Sequence, residues 1–241
     1  MRPLLTVGRR VRLRHVRAAI DAAVHPGARV LDAGCADGRL AIGVARDHPD
    51  CTVLGIDPDA AELERAAASS HGVPNVEFRR LSIGDDLSEQ FDVVVCTDGL
   101  EHIDDDGAAV RWLAEHVRPG GRLLVHVPAR DQVHRIRSVR AAMEAELAGG
   151  HGPHVREGYE PADLARLAES AELAVDETRF TFHVPVTRLA ADVDTWTFIH
   201  RRRELKALLL PLLLPGAAVE RSPSTRRGNG VLLSATRPVS G

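Results

Sequence analysis

The residues best suited to chemistry stand in one glycine-rich run, Asp32-Ala-Gly-Cys-Ala-Asp-Gly38. Val30 and Leu31 before it are typical of a short buried strand, and the apolar spacing that begins at Leu40 predicts a helix after it. Glycine lets the backbone turn sharply and lets a ligand approach where a side chain would otherwise stand. The start of the helix offers free N–H groups and the positive end of its dipole to that ligand. The run therefore predicts a nucleotide-type site at the end of a strand in an α/β sheet.

Strand-like and helix-like segments alternate through the first half of the chain. The predicted strands cover residues 51–56, 76–78, 91–96 and 122–127, and the predicted helices cover residues 60–70 and 108–117. Short connections between alternating strands and helices predict a doubly wound, mostly parallel sheet. Ligands should then lie beyond the carboxyl ends of the strands.

The outer parts of the chain are predicted to add helices to this sheet. Residues 1–28 form a predicted N-terminal helical cap with many arginines, interpreted either as a solvated helix on the sheet edge or as a lid over an anionic substrate. Residues 29–241 form the main domain, with a helix predicted at 129–147 and a helical insertion at about 190–216. A last strand, 229–235, is entered through a glycine turn.

Composition narrows the functional classes. The formal net charge of −3 gives no reason to expect nucleic acid as a partner. The three cysteines are scattered without metal-ligand spacing, so neither a metal centre nor a disulfide framework is expected. The longest apolar run, 207–214, is interrupted by Pro211 and is much shorter than the about 20 residues that cross a bilayer. We expect a cytoplasmic protein without an integral membrane segment, in which this run belongs to an amphipathic lid, a dimer interface or a membrane-surface contact.

Several motifs, in the right order, resemble those of class I S-adenosylmethionine (SAM) dependent methyltransferases of the small-molecule type. The Leu-Glu-His tail that ends at His102 is one of them, and the glycine-led strand after Arg227 is another. The matching segments are 30–38, 53–58, 91–102, 113–127, 154–159 and 227–233. The resemblance implies SAM as the cofactor and a Rossmann-like fold with a seven-stranded sheet whose last strand is antiparallel.

The resemblance also implies a set of cofactor-binding residues. Asp32, Gly34 and Gly38 would hold the methionine end of SAM. Asp57 would accept hydrogen bonds from both ribose hydroxyls. An acid at that place is also a good N-cap for the next helix, so Asp57 and Asp59 could divide the two roles. The full set is Asp32, Gly34, Cys35, Ala36, Gly38, Asp57, Pro58, Ser82, Ile83, Asp98, Gly99 and Leu100.

One position departs from the family pattern. The family usually has an acid just after the third strand, where it binds the adenine amino group, but Ser82 stands there in this chain. Asp85 and Asp86 follow three and four residues later. Either the loop curls so that Asp85 takes the role, or Ser82 and the backbone of residues 81–83 hold the adenine.

Two groups of residues are candidates for the acceptor side of the reaction. His102 is a natural general base because histidine titrates near neutral pH, with Glu101 either as a second catalytic group or as a structural one. Alternatively His102 only packs, since orientation and exclusion of water could suffice with an electrophile as reactive as SAM. His154, Arg156 and Tyr159 would bind substrate, unless their loop is simply solvated.

The leading hypothesis is a SAM-dependent methyltransferase that acts on O or N of a small molecule in bacterial secondary metabolism. A second hypothesis keeps the fold but replaces methyl transfer by elimination, cyclisation or hydrolysis. A third makes the chain a non-catalytic partner subunit. A homodimer or an accessory protein is compatible with all three.

Overall fold

The computed structural model describes residues 7–149, 155–200 and 218–239, together with residues 205, 209 and 215. Its strands are β1 (Arg29–Ala33), β2 (Thr52–Asp57), β3 (Val76–Arg80), β4 (Phe91–Thr97), β5 (Val117–Pro128), β6 (Ala174–Thr181) and β7 (Gly230–Thr236). Its helices are α1 (Val7–Asp21), α2 (Arg39–Asp47), α3 (Ala60–Ser69), α4 (Asp106–Glu115), α5 (Arg137–Gly149), α6 (Pro161–Ser170) and α7 (Pro185–Ile199), and a 3₁₀ turn covers Leu100–His102.

Within the described residues, seven strands form one sheet in the order β3-β2-β1-β4-β5-β7-β6. Strands β1 to β5 pair in parallel, and β7 runs antiparallel to both β5 and β6. This confirms the predicted doubly wound, mostly parallel sheet with an antiparallel last strand. The strand order reverses between β1 and β4, and ligands of such sheets bind in the crevice beyond the carboxyl ends at that point.

Helices cover both faces of the sheet. On one face, Val16 and Ile20 of α1 and Val44 of α2 belong to the core. On the other face, Leu113 of α4 and Leu164 of α6 do the same. Because the central strand β4 is buried on both faces, its sequence is almost continuously apolar, whereas the edge strand β3 is partly exposed and carries charged residues.

The first turns of α1 pack against a different part of the chain. Val7 and Val11 contact Phe182 and Ala190, which lie before and within α7. The buried Glu220 carboxylate reinforces this contact, since it accepts hydrogen bonds from the Phe182 N–H (2.5 Å) and pairs with a histidine of α1. Helix α1 is therefore held to the sheet at one end and to α7 at the other.

The helix boundaries differ from the predictions at several places. The predicted helix at 129–147 begins only at Arg137, because residues 129–136 form a loop whose backbone is bound by side chains from other elements. Helix α7 begins at Pro185, before the predicted insertion at about 190–216, of which about half lies outside the described residues. None of the helices in the described ranges is long and apolar enough to cross a membrane.

Candidate active site

A cavity of about 520 Å³, here called the first chamber, opens beyond the carboxyl ends of β1, β2 and β4. Its volume is within the range of about 300–1,000 Å³ typical of small-molecule sites. The residues that line it are Arg9, Arg12, Leu13, Asp32, Gly34, Cys35, Ala36, Asp37, Arg39, Leu40, Asp57, Pro58, Leu81, Ser82, Ile83, Thr97, Asp98, Gly99, His102 and Ile103. Ten of the twelve predicted cofactor-binding residues are among them; Gly38 and Leu100 are not.

The glycine-rich turn forms the floor of the first chamber. The N–H groups of Gly34 and Cys35 both donate to the carbonyl oxygen of Ile56 at the end of β2, each at 2.9 Å. Gly34 has a φ of +82°, and a Cβ added there would meet open space. Glycine at this position therefore serves the backbone conformation and leaves room for a ligand.

Gly38 has a packing role in the turn. Its φ is +69°, and an added Cβ would lie 2.6 Å from Cζ of Phe78 and 2.7 Å from Cβ of Ala66. Such contacts are too short for any side chain. Gly38 thus lets the start of α2 approach β3 and α3. It does not line the chamber, and its contact with the cofactor stays a prediction.

Asp32 brings a buried acid with one unpartnered oxygen into the first chamber. Its side chain is 3% exposed, and Oδ2 has no hydrogen-bond partner among the described residues. Burial raises the pKa of Asp32 to about 7, and the negative charges of Asp57 and Asp37 add to the effect. A backbone hydrogen bond from Ala41 lowers the pKa only in part. Because a buried carboxylate with an unpartnered oxygen is costly, Asp32 is suited to a ligand that brings a positive charge.

The two acids after β2 divide their roles. Asp59 is the N-cap of α3, where its carboxylate accepts the N–H groups of Ala61 (2.8 Å) and Glu62 (3.2 Å). The Asp57 carboxylate accepts the Ala36 N–H at 2.8 Å and lines the chamber. The sequence left open which acid caps the helix, and the structure shows that it is Asp59.

The segment after β3 also reaches the first chamber. Ser82 and Ile83 line it, but Asp85 does not. The Asp85 carboxylate instead accepts the Ser82 N–H at 2.7 Å, and its backbone carbonyl accepts the indole N–H of Trp112 at 2.9 Å. Asp85 therefore holds the shortened loop in place, and Ser82 and its neighbours face the chamber.

Asp98 lies between the first chamber and a second one. Its φ of +49° is unusual for a residue other than glycine, and its conformation is held by its neighbours. The carboxylate accepts a hydrogen bond from Nδ1 of His126 (2.8 Å) and pairs with Arg12 (2.5 Å). Asp98 and Arg12, together with Arg9, line both chambers.

The second chamber has a volume of about 360 Å³. It lies beside the end of β5, the loop that follows it, and α7. Its lining residues are Gly8, Arg9, Arg12, Asp98, His126, Pro128, Gln132, His134, Phe182, Ala191, Asp192, Asp194, Thr195 and Asn229. None of these except Asp98 was among the predicted site residues.

The two predicted catalytic residues both lie in the 3₁₀ turn after β4, but their surroundings differ. His102 is exposed and lines the first chamber. Glu101 is 1% exposed and lines neither chamber, and Leu100 is fully buried in the core. Burial, and then the negative charge of Asp98, raises the pKa of Glu101 to about 8.

The predicted substrate-binding residues lie away from both chambers where the structure describes them. The Arg156 guanidinium donates to the backbone carbonyl of Ile103 (2.7 Å), contacts the Asp106 carboxylate, and donates to the Tyr159 hydroxyl (2.8 Å). The Tyr159 hydroxyl in turn donates to the carbonyl of Leu100 at 3.3 Å. These two side chains therefore hold the segment after β4, and His154 lies outside the described residues.

The sequence interpretation missed the arginines that α1 brings to the site. The Asp37 carboxylate accepts from Nη1 of Arg9 at 3.0 Å, and Arg12 pairs with Asp98. The many arginines of residues 1–28 were the sequence signal for these contacts. Of the two interpretations of that segment, a solvated helix and a lid, the lid is closer to this arrangement. However, these arginines bind acids of the site in this structure, so they do not present a vacant anion site.

The fold and the first chamber together define a class I SAM-dependent methyltransferase. The features that identify the class are the strand order, the glycine turn after β1, the buried acid at the start of that turn and the acid at the end of β2. A family model described as a methyltransferase domain matches residues 8–178, and the chain belongs to that family.

Individual relatives agree with this assignment. A ubiquinone biosynthesis O-methyltransferase of Xanthomonas oryzae pv. oryzae is 32% identical over 179 residues, which cover 73% of each chain. The fold is similar to that of the N-methyltransferase NodS from Bradyrhizobium japonicum in complex with S-adenosylhomocysteine (TM-score 0.61, 16% identity, 97% of this chain and 89% of that one). It is also similar to that of the [4+2]-cyclase SpnF (TM-score 0.64, 17% identity, 97% and 81%), a likeness that concerns the fold alone.

Proposed function

We propose that this SAM-dependent methyltransferase transfers the methyl group to an oxygen atom of a small molecule, with SAM in the first chamber and the acceptor in the second. The observation that carries the proposal is the shared wall formed by Asp98 and Arg12, because a methyl group can pass only between neighbouring ligands. The name of the 32% identical relative, a ubiquinone biosynthesis O-methyltransferase, supports oxygen as the acceptor atom.

The residues of the first chamber fit each part of SAM. Asp32 would pair with the ammonium group, because its buried Oδ2 has no other partner in the described part of the chain. Asp57 would accept hydrogen bonds from the ribose hydroxyls, since only part of its accepting capacity is used by backbone N–H groups. Ser82 and Ile83 would border the adenine. When bound, SAM supplies an electrophilic methyl carbon.

The chain's own contribution is mainly placement and exclusion of water. Arg12 and His126 fix the Asp98 carboxylate at the border that the two chambers share. Helix α1 contributes to both chambers through Arg9 and Arg12 and limits their contact with solvent. Fixed placement of two reactants can account for a large part of the rate enhancement.

The residues named from sequence alone take narrower roles in this proposal. His102 lies in the lining of the first chamber only, so we assign it to the cofactor side. Arg156 and Tyr159 would support the segment after β4 without contacting the acceptor. A place in secondary metabolism stays a prediction, since the relative's name points to ubiquinone biosynthesis.

Two measurements test the proposal. Titration calorimetry should show that the purified protein binds SAM and S-adenosylhomocysteine. Incubation with SAM and three simple acceptors, catechol, aniline and thiophenol, should then give a methyl ether of catechol by mass spectrometry. Methylation of aniline or thiophenol but not of catechol would contradict oxygen transfer, and failure to bind SAM would overturn the whole assignment.

A further inference from the structure

The loop between β5 and α5 presents one histidine to the second chamber in a fixed orientation. Asn229 clamps the residue before it: its Oδ1 accepts the Val133 N–H and its Nδ2 donates to the Val133 carbonyl, both at 3.0 Å. Asp192 of α7 accepts the N–H groups of Arg135 and Ile136, the two residues after this histidine. His134 therefore stands on backbone that is hydrogen-bonded on both sides.

Asp192 also determines the state of the His134 ring. Its Oδ1 lies 2.8 Å from Nδ1 of His134, and the carboxylate is 2% exposed. A carboxylate is an acceptor, so in the neutral ring Nδ1 carries the proton and donates it, and the lone pair of this tautomer is on Nε2. No hydrogen bond to that Nε2 is present among the described residues, and His134 lines the second chamber.

The other histidine of this chamber lacks such a free nitrogen. Both ring nitrogens of His126 are engaged, Nδ1 with Asp98 at 2.8 Å and Nε2 with the Thr181 hydroxyl at 2.9 Å. His126 thus positions Asp98. Among the residues that the structure describes in this wall, His134 alone combines an orienting carboxylate with an unused imidazole nitrogen.

We infer that the second chamber binds a phenolic acceptor and that His134, oriented by Asp192, takes the proton from the phenol hydroxyl as the methyl group arrives. This inference rests on the proposed function and adds a catalytic residue and a substrate class to it. A nucleophile beside a base that a third group orients is a recurrent arrangement in catalysis.

The proton and electron balance of this step is simple. The phenol oxygen forms a bond to the methyl carbon of SAM, the S–CH₃ bond breaks, and its electron pair stays on sulfur, so S-adenosylhomocysteine leaves as a neutral thioether. The hydroxyl proton passes to Nε2 of His134 and then to solvent. No oxidant, metal or further reactant is needed.

The chemistry of the base selects the class of hydroxyl. Imidazole titrates near neutral pH, whereas a phenol loses its proton at about pH 10 and an alkyl hydroxyl only at a far higher pH. An imidazole can therefore assist a phenol far more effectively than a sugar hydroxyl. Phe182 supplies an apolar ring to the same chamber, against which an aromatic acceptor can pack.

The test compares catechol with 4-nitrocatechol at a pH where only the nitro compound is ionised. His134→Gln should lower kcat for catechol by about 100-fold or more, the usual contribution of a general base, and should lower kcat for 4-nitrocatechol less than about 10-fold. His48→Gln is the matched control, because His48 forms a similar pair with Asp21 (2.7 Å) and lines neither chamber.

A second readout does not depend on turnover. With S-adenosylhomocysteine bound and the pH just below the pKa of free 4-nitrocatechol, the wild-type protein should bind the probe as its coloured anion, and His134→Gln should bind it as the colourless neutral form. Asp192→Asn should weaken the anion signal as well. Thermal melts of both variants verify that they are folded.

The possible outcomes distinguish a failure of this inference from a failure of the proposed function. Equal losses for both catechols, or an unchanged anion signal in His134→Gln, would overturn the role of His134 and leave methyl transfer to oxygen intact. If the wild-type protein binds SAM but methylates neither catechol, the phenolic class is wrong. If SAM itself does not bind by calorimetry, the proposed function fails instead.

Discussion

Replacing Asp32 by asparagine should weaken SAM binding and remove its dependence on pH near neutrality. The pKa of Asp32 in the ligand-free protein is about 7, raised by burial and by the negative charges of Asp57 and Asp37. SAM brings an ammonium and a sulfonium group, so it should bind the ionised form of Asp32. Below about pH 7 the protein must release a proton to bind SAM, and the apparent affinity should fall about tenfold per pH unit, or about 1.4 kcal/mol.

The magnitude of the mutational effect follows from the contact that is lost. A hydrogen bond to a charged group contributes about 1.5–3 kcal/mol, so at about pH 8 the Asp32→Asn protein should bind SAM about 10- to 150-fold more weakly than the wild type. At about pH 6 the difference should shrink, because the wild-type carboxyl is then mostly protonated. The variant's own affinity should be nearly flat with pH.

The same substitution should stabilise the ligand-free protein at high pH. The pKa of Asp32 rises from 3.8 in the unfolded chain to about 7 in the folded one, so the folded state binds more protons between these values. The free energy of unfolding therefore falls as the pH rises from about 4 to 7, by at most about 4 kcal/mol. Asparagine removes this loss, and urea melts of the SAM-free variant should show a smaller change across this interval.

Calorimetric titration with S-adenosylhomocysteine, which keeps the ammonium group but lacks the sulfonium, measures the contact at the amino-acid end. Asp59→Asn is the control, since asparagine is an equally good N-cap and Asp59 does not line the chamber. If the Asp32→Asn protein keeps the same pH slope as the wild type, the titrating group is another residue and the reasoning about Asp32 is refuted.

Two further substitutions test how the site is supported. Gly38→Ala should lower the free energy of unfolding by about 1–3 kcal/mol in urea melts, because the new Cβ would lie 2.6 Å from the Phe78 ring; an unchanged melt would contradict the packing role. Glu220→Gln should destabilise the protein near pH 7. Although burial alone would raise the pKa of Glu220, hydrogen bonds from His15 and Thr187 lower it to about 2, so up to about 3 kcal/mol of stability is lost as the pH falls from about 4.5 to 2. That acid sensitivity should shrink in the variant, and an identical pH profile would show that another group carries it.

The parts of the site that sequence predicts are those set by neighbouring residues. A glycine turn between an apolar strand and an apolar-spaced helix places Gly34 and its neighbours, and an acid at the next strand end places Asp57, because parallel strands end at the same edge. The fold follows from the same local signals repeated along the chain. The division of roles between Asp57 and Asp59 is also local, since the two acids are only two positions apart in the chain.

The parts that sequence does not predict depend on pairs far apart in the chain. Asp192 is 58 positions from His134, and Arg12 meets Asp98 only because α1 folds back over the carboxyl edge of the sheet. Neither pair leaves a periodic or motif signal. Arg156 is a different case: its side chain is suited to an anionic substrate, but in this structure its donors bind backbone carbonyls and a carboxylate of the chain itself.

The distribution of charge distinguishes the two chambers and constrains what each can bind. In the first, the buried Asp32 has an oxygen without a partner among the described residues, so a cationic ligand relieves a cost already present in the folded protein. In the second, the acids have partners: Asp98 pairs with Arg12, and Asp192 with His134. A strongly charged acceptor would have to break these pairs, whereas a neutral hydroxyl would not. A neutral hydroxyl must still lose its proton during methyl transfer, and the lone pair on His134 is the acceptor that the second chamber offers.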